Sequence, residues 1–147
     1  TGADRTIRVR DLKSGKDVAQ LPNQDFAVLR LACSPDGRLL AASGKERAVR
    51  IWDIAAQKLR LELVAHKKGN VRAVAFSADG QRVASGGDDG YVRLWDLPSG
   101  MEIANFTGFA RDGWCGAYVV TDVAFTPDGR FVVCSNVDST VRVLEAP

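Results

Sequence analysis

A six-residue motif recurs along the chain, and its two clearest copies are VRIWDI at Val49–Ile54 and VRLWDL at Val92–Leu97. Two weaker copies are IRVRDL at Ile7–Leu12 and VRVLEA at Val141–Ala146. The acidic residues of the four copies are separated by 42, 43 and 49 positions. Self-similarity at a period of about 20 to 50 residues is the sequence signature of a repeat architecture.

A second series of turn-like segments follows the same period. Its members are CSPDGR at Cys33–Arg38, FSADGQ at Phe76–Gln81 and FTPDGR at Phe125–Arg130, and their glycines are 43 and 49 positions apart. Both series lengthen by six residues in their last interval. We therefore predict a single insertion within the stretch FTGFARDGWCGAYVVTD, residues 106–122.

Each period has the pattern of four short strands joined by tight turns. Apolar side chains occupy both faces of Val71–Phe76, which is typical of an inner strand between neighbouring sheets. An Asp-Gly turn follows it, and Asp88–Gly90 favours a hairpin. The further strands of this period are predicted at Arg82–Gly86, Tyr91–Asp96 and Met101–Phe106. No segment sustains a helical period, so the predicted fold class is all-β.

With these motifs at this spacing, the chain resembles the WD-repeat proteins over essentially its whole length. The resemblance implies a β-propeller, in which each blade is a sheet of four antiparallel strands. About 3.5 repeats fit into 147 residues, so we expect an incomplete ring. The chain would then be either a piece of a larger propeller or a protein that completes its ring by self-association. The predicted units are a partial blade at about residues 1–21, blades at about 22–64 and 65–106, and a partial blade at about 107–147.

In that family, hydrogen bonds between His, Ser or Thr, Asp and Trp hold a blade together. The resemblance gives this structural role to a tetrad of His66, Ser85, Asp89 and Trp95. The repeated Trp-Asp ends are expected to lock each blade to the next, and they are Trp52–Asp53 and Trp95–Asp96.

The other repeats depart from the tetrad and are expected to be looser, because they must rely more on packing. The corresponding residues of the preceding repeat are Asn23, Ala42, Glu46 and Trp52, those of the last are Cys134, Asp138 and Leu144, and those of the first are Asp4 and Arg10. An arginine also recurs at one strand position and is predicted to line the spaces between blades, beside acidic neighbours. Its four copies are Arg8, Arg50, Arg93 and Arg142.

His66, Ser85 and Asp89 also have the residue types of a hydrolase triad. Such a triad needs an exposed nucleophile and backbone donors directed at an oxyanion. Ser85 instead lies within a predicted strand, and no G-x-S-x-G elbow surrounds it. We therefore favour the structural interpretation and predict no catalytic residue.

In the family's arrangement, the predicted insertion emerges on the upper face of the propeller, with the turns between second and third strands. It contains residue types that dominate interface hot spots, namely Phe109, Arg111, Trp114 and Tyr118. Folding of these aromatic rings back onto the base of the loop is the alternative. Further candidates for partner binding are the cations Lys67, Lys68 and Arg47, for which a solvated rim is the simpler interpretation.

Composition excludes several classes of function. The net charge of +2, from 20 basic and 18 acidic residues, argues against a nucleic-acid platform, and no apolar run approaches the length of a membrane span. A lone histidine and three cysteines without a CxxC pair give no case for a metal or cofactor. We expect a cytoplasmic, non-catalytic scaffold for a protein or peptide partner. The alternative is a regulatory or sensory segment of a larger multidomain signalling enzyme.

Overall fold

The computed structural model describes residues 6–21, 27–64, 66–106 and 119–147, which form thirteen β-strands. No helix occurs among these residues, and so none that is long and apolar enough to cross a membrane. The strands are β1 (Ile7–Arg10), β2 (Asp17–Leu21), β3 (Val28–Cys33), β4 (Leu39–Gly44), β5 (Ala48–Asp53), β6 (Lys58–Val64), β7 (Val71–Phe76), β8 (Arg82–Gly87), β9 (Val92–Asp96), β10 (Met101–Phe106), β11 (Val120–Phe125), β12 (Phe131–Asn136) and β13 (Val141–Glu145).

Consecutive strands pair antiparallel and form four separate sheets in chain order. These are β1–β2, β3–β4–β5–β6, β7–β8–β9–β10 and β11–β12–β13. The prediction of an all-β chain with blades of four antiparallel strands is therefore confirmed. Among the described residues, β13 pairs with β12 alone and the last sheet is not joined to the first, so the ring is not closed.

The turn between the first and second strands of a sheet has the same chemistry three times. A hydroxyl donates to the carboxylate two residues later, over 2.6 Å from Ser34 to Asp36, 2.6 Å from Ser77 to Asp79 and 2.5 Å from Thr126 to Asp128. The following glycine has a positive φ of about 70° in each copy, a conformation that other residues rarely adopt. The repeated S/T-x-D-G pattern is thus a repeated turn.

Successive sheets stack face to face around their first strands. β7 contacts both β3 and β11, so the inner strands of three sheets lie side by side. Between the two four-stranded sheets, the core includes Ile51, Val83 and Trp95. Between the β1–β2 sheet and the next one, Trp52 packs with Ile7. The repeated tryptophans therefore pack at the interfaces between sheets.

The interface between the last two sheets is tight at one glycine. A Cβ atom at Gly86 on β8 would lie 2.4 Å from Cγ1 of Val120 on β11, well inside van der Waals contact. A guanidinium adds a polar link between the same sheets, since Arg82 Nη2 donates to the carbonyl oxygen of Gly129 over 2.9 Å. The two sheets thus have a defined relative position.

Candidate functional site

Four side chains of the β7–β10 sheet form a continuous hydrogen-bonded chain. Nδ1 of His66 lies 2.6 Å from Asp89 Oδ1, and Nε2 of His66 lies 3.2 Å from Ser85 Oγ. The indole Nε1–H of Trp95 donates to the same Ser85 oxygen over 3.2 Å. The sequence-predicted tetrad is therefore brought together in space, with His66, Ser85 and Trp95 buried.

The charge on Asp89 sets the direction of its hydrogen bond with His66. Burial raises the pKa of the Asp89 carboxyl, whereas the His66 hydrogen bond and the charges of His66 and Arg93 lower it. The lowering effects outweigh burial, so the pKa lies below its ordinary value of 3.8 and the group is a carboxylate at neutral pH. A carboxylate only accepts, so His66 Nδ1 donates the hydrogen bond to Asp89 Oδ1.

Arg93 on β9 is a further member of this cluster, which the sequence pattern does not assign to it. Its side chain is only 4% exposed, and Nη1 donates to Asp89 Oδ2 over 3.2 Å. Its Nε lies 3.5 Å from Glu102 Oε2, and the guanidinium stacks over the Tyr91 ring at 4.7 Å from the centroid. Arg93 thus joins the tetrad to the outer strand β10.

The recurring arginine was predicted to line the spaces between blades beside acidic neighbours, and Arg93 lines a groove with Arg47 and Val64 of the preceding sheet. Arg50 pairs with Glu46 at 3.1 Å and Glu62 at 3.6 Å, both of its own sheet, as Arg93 pairs within its sheet. The expected acidic neighbours are present, but they belong to the preceding turn and to the adjacent outer strand. The reason is geometric, because a third-strand side chain reaches its own fourth strand over a shorter distance than the next sheet.

The preceding sheet lacks the tetrad's central hydroxyl. Trp52 and Ala42 stand where the next sheet has Trp95 and Ser85, with the same cross-strand register. The Trp52 indole N–H is buried and has no hydrogen-bond acceptor among the described residues. Asn23, the counterpart of His66, lies outside the described residues, as does Asp4 of the first repeat.

The last repeat replaces the tetrad by packing. Cys134 is buried, and burial raises the pKa of its thiol. Leu144 stands at the tryptophan position and packs against the core with Val120 and Val132. Asp138 is exposed and accepts from the Thr140 hydroxyl over 2.6 Å, within its own turn. In the first repeat, Arg10 pairs with Asp17 at 2.8 Å.

The aspartates of the repeated motif cap the turn that follows them in their own sheet. Backbone N–H groups three residues later donate to Asp11, Asp53 and Asp96 over 2.6, 2.8 and 3.0 Å. Of the Trp-Asp ends expected to lock one blade to the next, only the tryptophans pack between sheets. The aspartate acts locally because a short carboxylate side chain reaches its own turn's backbone before any neighbouring sheet.

Comparison with known protein families gives three matched segments, at residues 15–53, 57–96 and 109–144, to the model described as WD domain, G-beta repeat. Together they cover most of the chain. The chain belongs to the WD-repeat family. WD-repeat domains are in general non-catalytic modules for protein interaction.

Several WD-repeat proteins share part of this sequence. It is 36% identical over 58 residues to the general transcriptional corepressor TUP1 of Saccharomyces cerevisiae, 36% of this chain and 8% of that protein. It is 37% identical over 59 residues to coronin-7 of Rattus norvegicus, 40% of this chain and 6% of that protein. It is 30% identical over 64 residues to the nuclear distribution protein nudF of Aspergillus niger, 44% of this chain and 14% of that protein. The matched part is thus a small fraction of each relative's length.

The WD-repeat tetrad does not have the arrangement of a hydrolase site. Ser85 is fully buried and its hydroxyl oxygen already accepts from Trp95, so this hydroxyl is not exposed to a substrate. Within the described residues, no group of three His, Cys, Asp or Glu side chains is placed to hold a metal ion.

The residues proposed for partner binding fall into two groups. Phe109, Arg111, Trp114 and Tyr118 lie outside the described residues. Lys67 and Lys68, between β6 and β7, and Arg47, in the β4–β5 turn, are exposed, and no ion-pair partner is present for them among the described side chains. Arg47 and Lys67 line one groove of about 490 Å³, here called the lateral groove, with Val64, Glu102 and Asn105 around a floor of His66 and Arg93.

Proposed function

We propose that this chain is a non-catalytic interaction scaffold that presents the upper face of its stacked sheets to a protein or peptide partner. The observation that carries the proposal is that the interior polar side chains are paired with one another, whereas the exposed cations are not. Those inside the β7–β10 sheet are committed to one another through His66, Ser85 and Asp89. The cations at the upper face are exposed and without ion-pair partners among the described residues. A rigid frame with unpaired surface groups suits recognition rather than turnover.

A peptide-display experiment tests this function for partners of any sequence. The folded chain is immobilised and screened against a random peptide library, with the same chain unfolded in urea as the control surface. We expect peptides that are enriched on the folded chain alone. Absence of such enrichment, together with ester or peptide hydrolysis that Ser85→Ala abolishes without unfolding, would contradict the proposal.

The loop of residues 107–119, which holds the predicted insertion, is a second element of the proposed surface, supported by its aromatic composition. Trp114→Ala distinguishes the two roles left open for it. A loss of peptide binding at unchanged stability supports an exposed contact, whereas lost stability at unchanged binding assigns the ring to the loop's own base.

Exposed apolar side chains support the further proposal that these sheets join additional blades, from a second copy or from a longer protein. Val141 and Val143 on β13 are 68% and 63% exposed, and Leu31 on β3 is 42% exposed. The residues at the equivalent strand positions of the two four-stranded sheets' third strands are buried. Light scattering after size-exclusion chromatography gives the mass, and a non-associating monomer with unchanged stability on Val143→Lys would contradict this proposal.

The regulatory or sensory alternative differs only in what the blades are attached to, and the full-length reading frame distinguishes it from a scaffold. A cytoplasmic location stays a prediction. Cys33 and Cys134 are free thiols, which is the usual state in a reducing compartment and supports it.

A further inference from the structure

We propose that the lateral groove binds an acidic peptide segment, with a carboxylate held between Arg47 and Lys67 and an adjoining apolar side chain on Val64. The proposal rests on the scaffold function and names the chemistry of the partner. It is carried by the placement, charge and surroundings of these three residues.

The two cations are positioned by backbone that is itself held in place. Arg47 lies in the turn between β4 and β5, and its carbonyl oxygen accepts from the His66 N–H over 2.9 Å. The adjacent Glu46 carbonyl oxygen accepts from the Val71 N–H over 3.1 Å. His66 is fixed by the tetrad, and Lys67 follows it directly. A ligand that binds to side chains on such ordered backbone loses less conformational entropy than one that must order a loop.

The groove has positive charge that nothing on its walls neutralises. Arg93 in the floor is already paired with Asp89 and Glu102. The acidic group of the groove, Glu102, is thereby engaged, at 3.5 Å from the Arg93 Nε. Arg47 and Lys67 have no ion-pair partner among the described residues, unlike Arg50 and Arg72. A carboxylate at this point would gain charge-assisted hydrogen bonds from both.

The apolar part of the groove lies at the end of β6. Val64 is 73% exposed there, beside the two cations. A volume of about 490 Å³ is in the size range of ligand clefts and accommodates a few side chains of an extended peptide. Asn105 on the opposite wall offers an amide that both donates and accepts, as a peptide backbone requires.

The same observations disfavour a nucleic acid as the occupant. Single-stranded nucleic acid is held by a track of cations with aromatic rings for base stacking. The lining of the lateral groove offers two unpaired cations, a carboxylate at Glu102 and no Phe, Tyr or Trp ring. Two unpaired cations fit one or two carboxylates better than a phosphate backbone.

The test uses an array of synthetic hexapeptides that carry Glu and Leu at every pair of positions, with a matched array in which Gln replaces Glu. We expect stronger retention of the Glu peptides, and at least about a tenfold loss of their affinity in the double variant Arg47→Glu/Lys67→Glu. The matched control is Lys58→Glu/Arg60→Glu, which makes the same charge change at the other end of β6 and should leave affinity unchanged. Circular dichroism and thermal unfolding check that both variants fold.

Three outcomes separate this inference from the scaffold function. Equal retention of the Glu and Gln arrays, or equal binding by wild type and the Arg47/Lys67 variant, would overturn the groove while peptides from the random library still bind. Failure of every library peptide to bind would instead overturn the scaffold function. Tighter binding of an oligothymidylate than of the Glu peptides, lost in the Arg47/Lys67 variant, would replace the peptide by a nucleic acid.

Discussion

Two tryptophans occupy the same position in consecutive sheets but differ in their hydrogen bonding. Trp95 donates to Ser85 over 3.2 Å, whereas the buried Trp52 N–H has no acceptor among the described residues because Ala42 stands in place of the serine. A buried donor without a partner costs about 1–3 kcal/mol of stability. The two tryptophans thus differ in whether a hydroxyl stands at the same register position of the second strand.

Ala42→Ser should therefore stabilise the protein, by about 1 kcal/mol, because the new hydroxyl supplies the missing acceptor to Trp52. The register favours this, since Ala42 and Ser85 stand opposite Arg50 and Arg93 in their sheets. Urea denaturation followed by tryptophan fluorescence gives the free energy of unfolding.

Ser43→Ala is the matched control for this change. The Ser43 hydroxyl is buried without a partner among the described residues, so its removal should be neutral or slightly stabilising. A destabilised Ala42→Ser variant, or one with an unchanged urea midpoint, would show that the unpaired Trp52 N–H does not lower the stability of the protein.

The Asp89 carboxylate should make the free energy of unfolding depend on pH in the acid range. Its pKa lies below the ordinary 3.8 in the folded protein, so the unfolded chain binds this proton more tightly. The stability that it contributes is complete above the unfolded-state pKa and is lost as the pH falls through the lower folded-state pKa. Asp89→Asn cannot be protonated at this group, although its amide oxygen still accepts from His66.

The stability advantage of wild type over Asp89→Asn should consequently shrink as the pH drops below about 3.8. The comparison uses free energies of unfolding at constant ionic strength. They are measured from about pH 2.5 to about pH 5, roughly one pH unit on either side of 3.8. A difference that is independent of pH throughout would mean that the carboxylate contributes nothing through its charge.

At the scale of strands and turns, close packing between neighbouring sheets limits the side chain at Gly86. A Cβ there would lie 2.4 Å from Val120 Cγ1 and 3.2 Å from Val123 Cγ1. Valine has one strongly preferred rotamer in most settings, so it cannot easily move aside. The sheets would have to separate.

Gly86→Ala is accordingly expected to destabilise the protein by about 1–3 kcal/mol through overpacking. In a Val120→Ala background the same substitution should cost less, because the clashing methyl group is absent. The coupling in this double-mutant cycle is obtained from chemical denaturation. Additive effects of the two substitutions would place Gly86 away from Val120 and contradict the stacking of β8 on β11.

The strands themselves are largely predictable, because alternating apolar residues and glycine turns are local signals. Val71–Phe76 and Met101–Phe106 have the predicted bounds. The third strand of that sheet is predicted from Tyr91 but begins at Val92, since the Tyr91 N–H donates to Asp89 and stays in the turn. At this position the hydrogen bond to the Asp89 side chain outweighs the preference of an aromatic residue for a strand.

The site is predictable only in part, and for a physical reason. The tetrad residues follow from the resemblance to WD repeats. The place of Arg93 beside Asp89 and Glu102 depends on contacts between different strands and a turn, which periodicity does not contain. The lateral groove is formed by the β4–β5 turn and by β10 of another sheet, so no local pattern indicates it.

At the scale of the whole molecule, the sheets stack in chain order around their inner strands. Two contacts join three consecutive sheets. A Cβ at Gly80 would lie 3.5 Å from Cδ of Pro35, which links the second sheet to the third, and Gly86 meets Val120 between the third and the fourth. Together the two contacts fix the relative positions of the three sheets.

The most direct measurement is a NOESY spectrum of the isotope-labelled chain. We predict cross-peaks from the Gly80 Hα to the Pro35 Hδ protons and from the Gly86 Hα to the Val120 methyl groups, because both pairs are in contact across sheet interfaces. A spectrum with all cross-strand peaks within sheets but neither of these two would contradict the stacked arrangement, and with it the interaction surface.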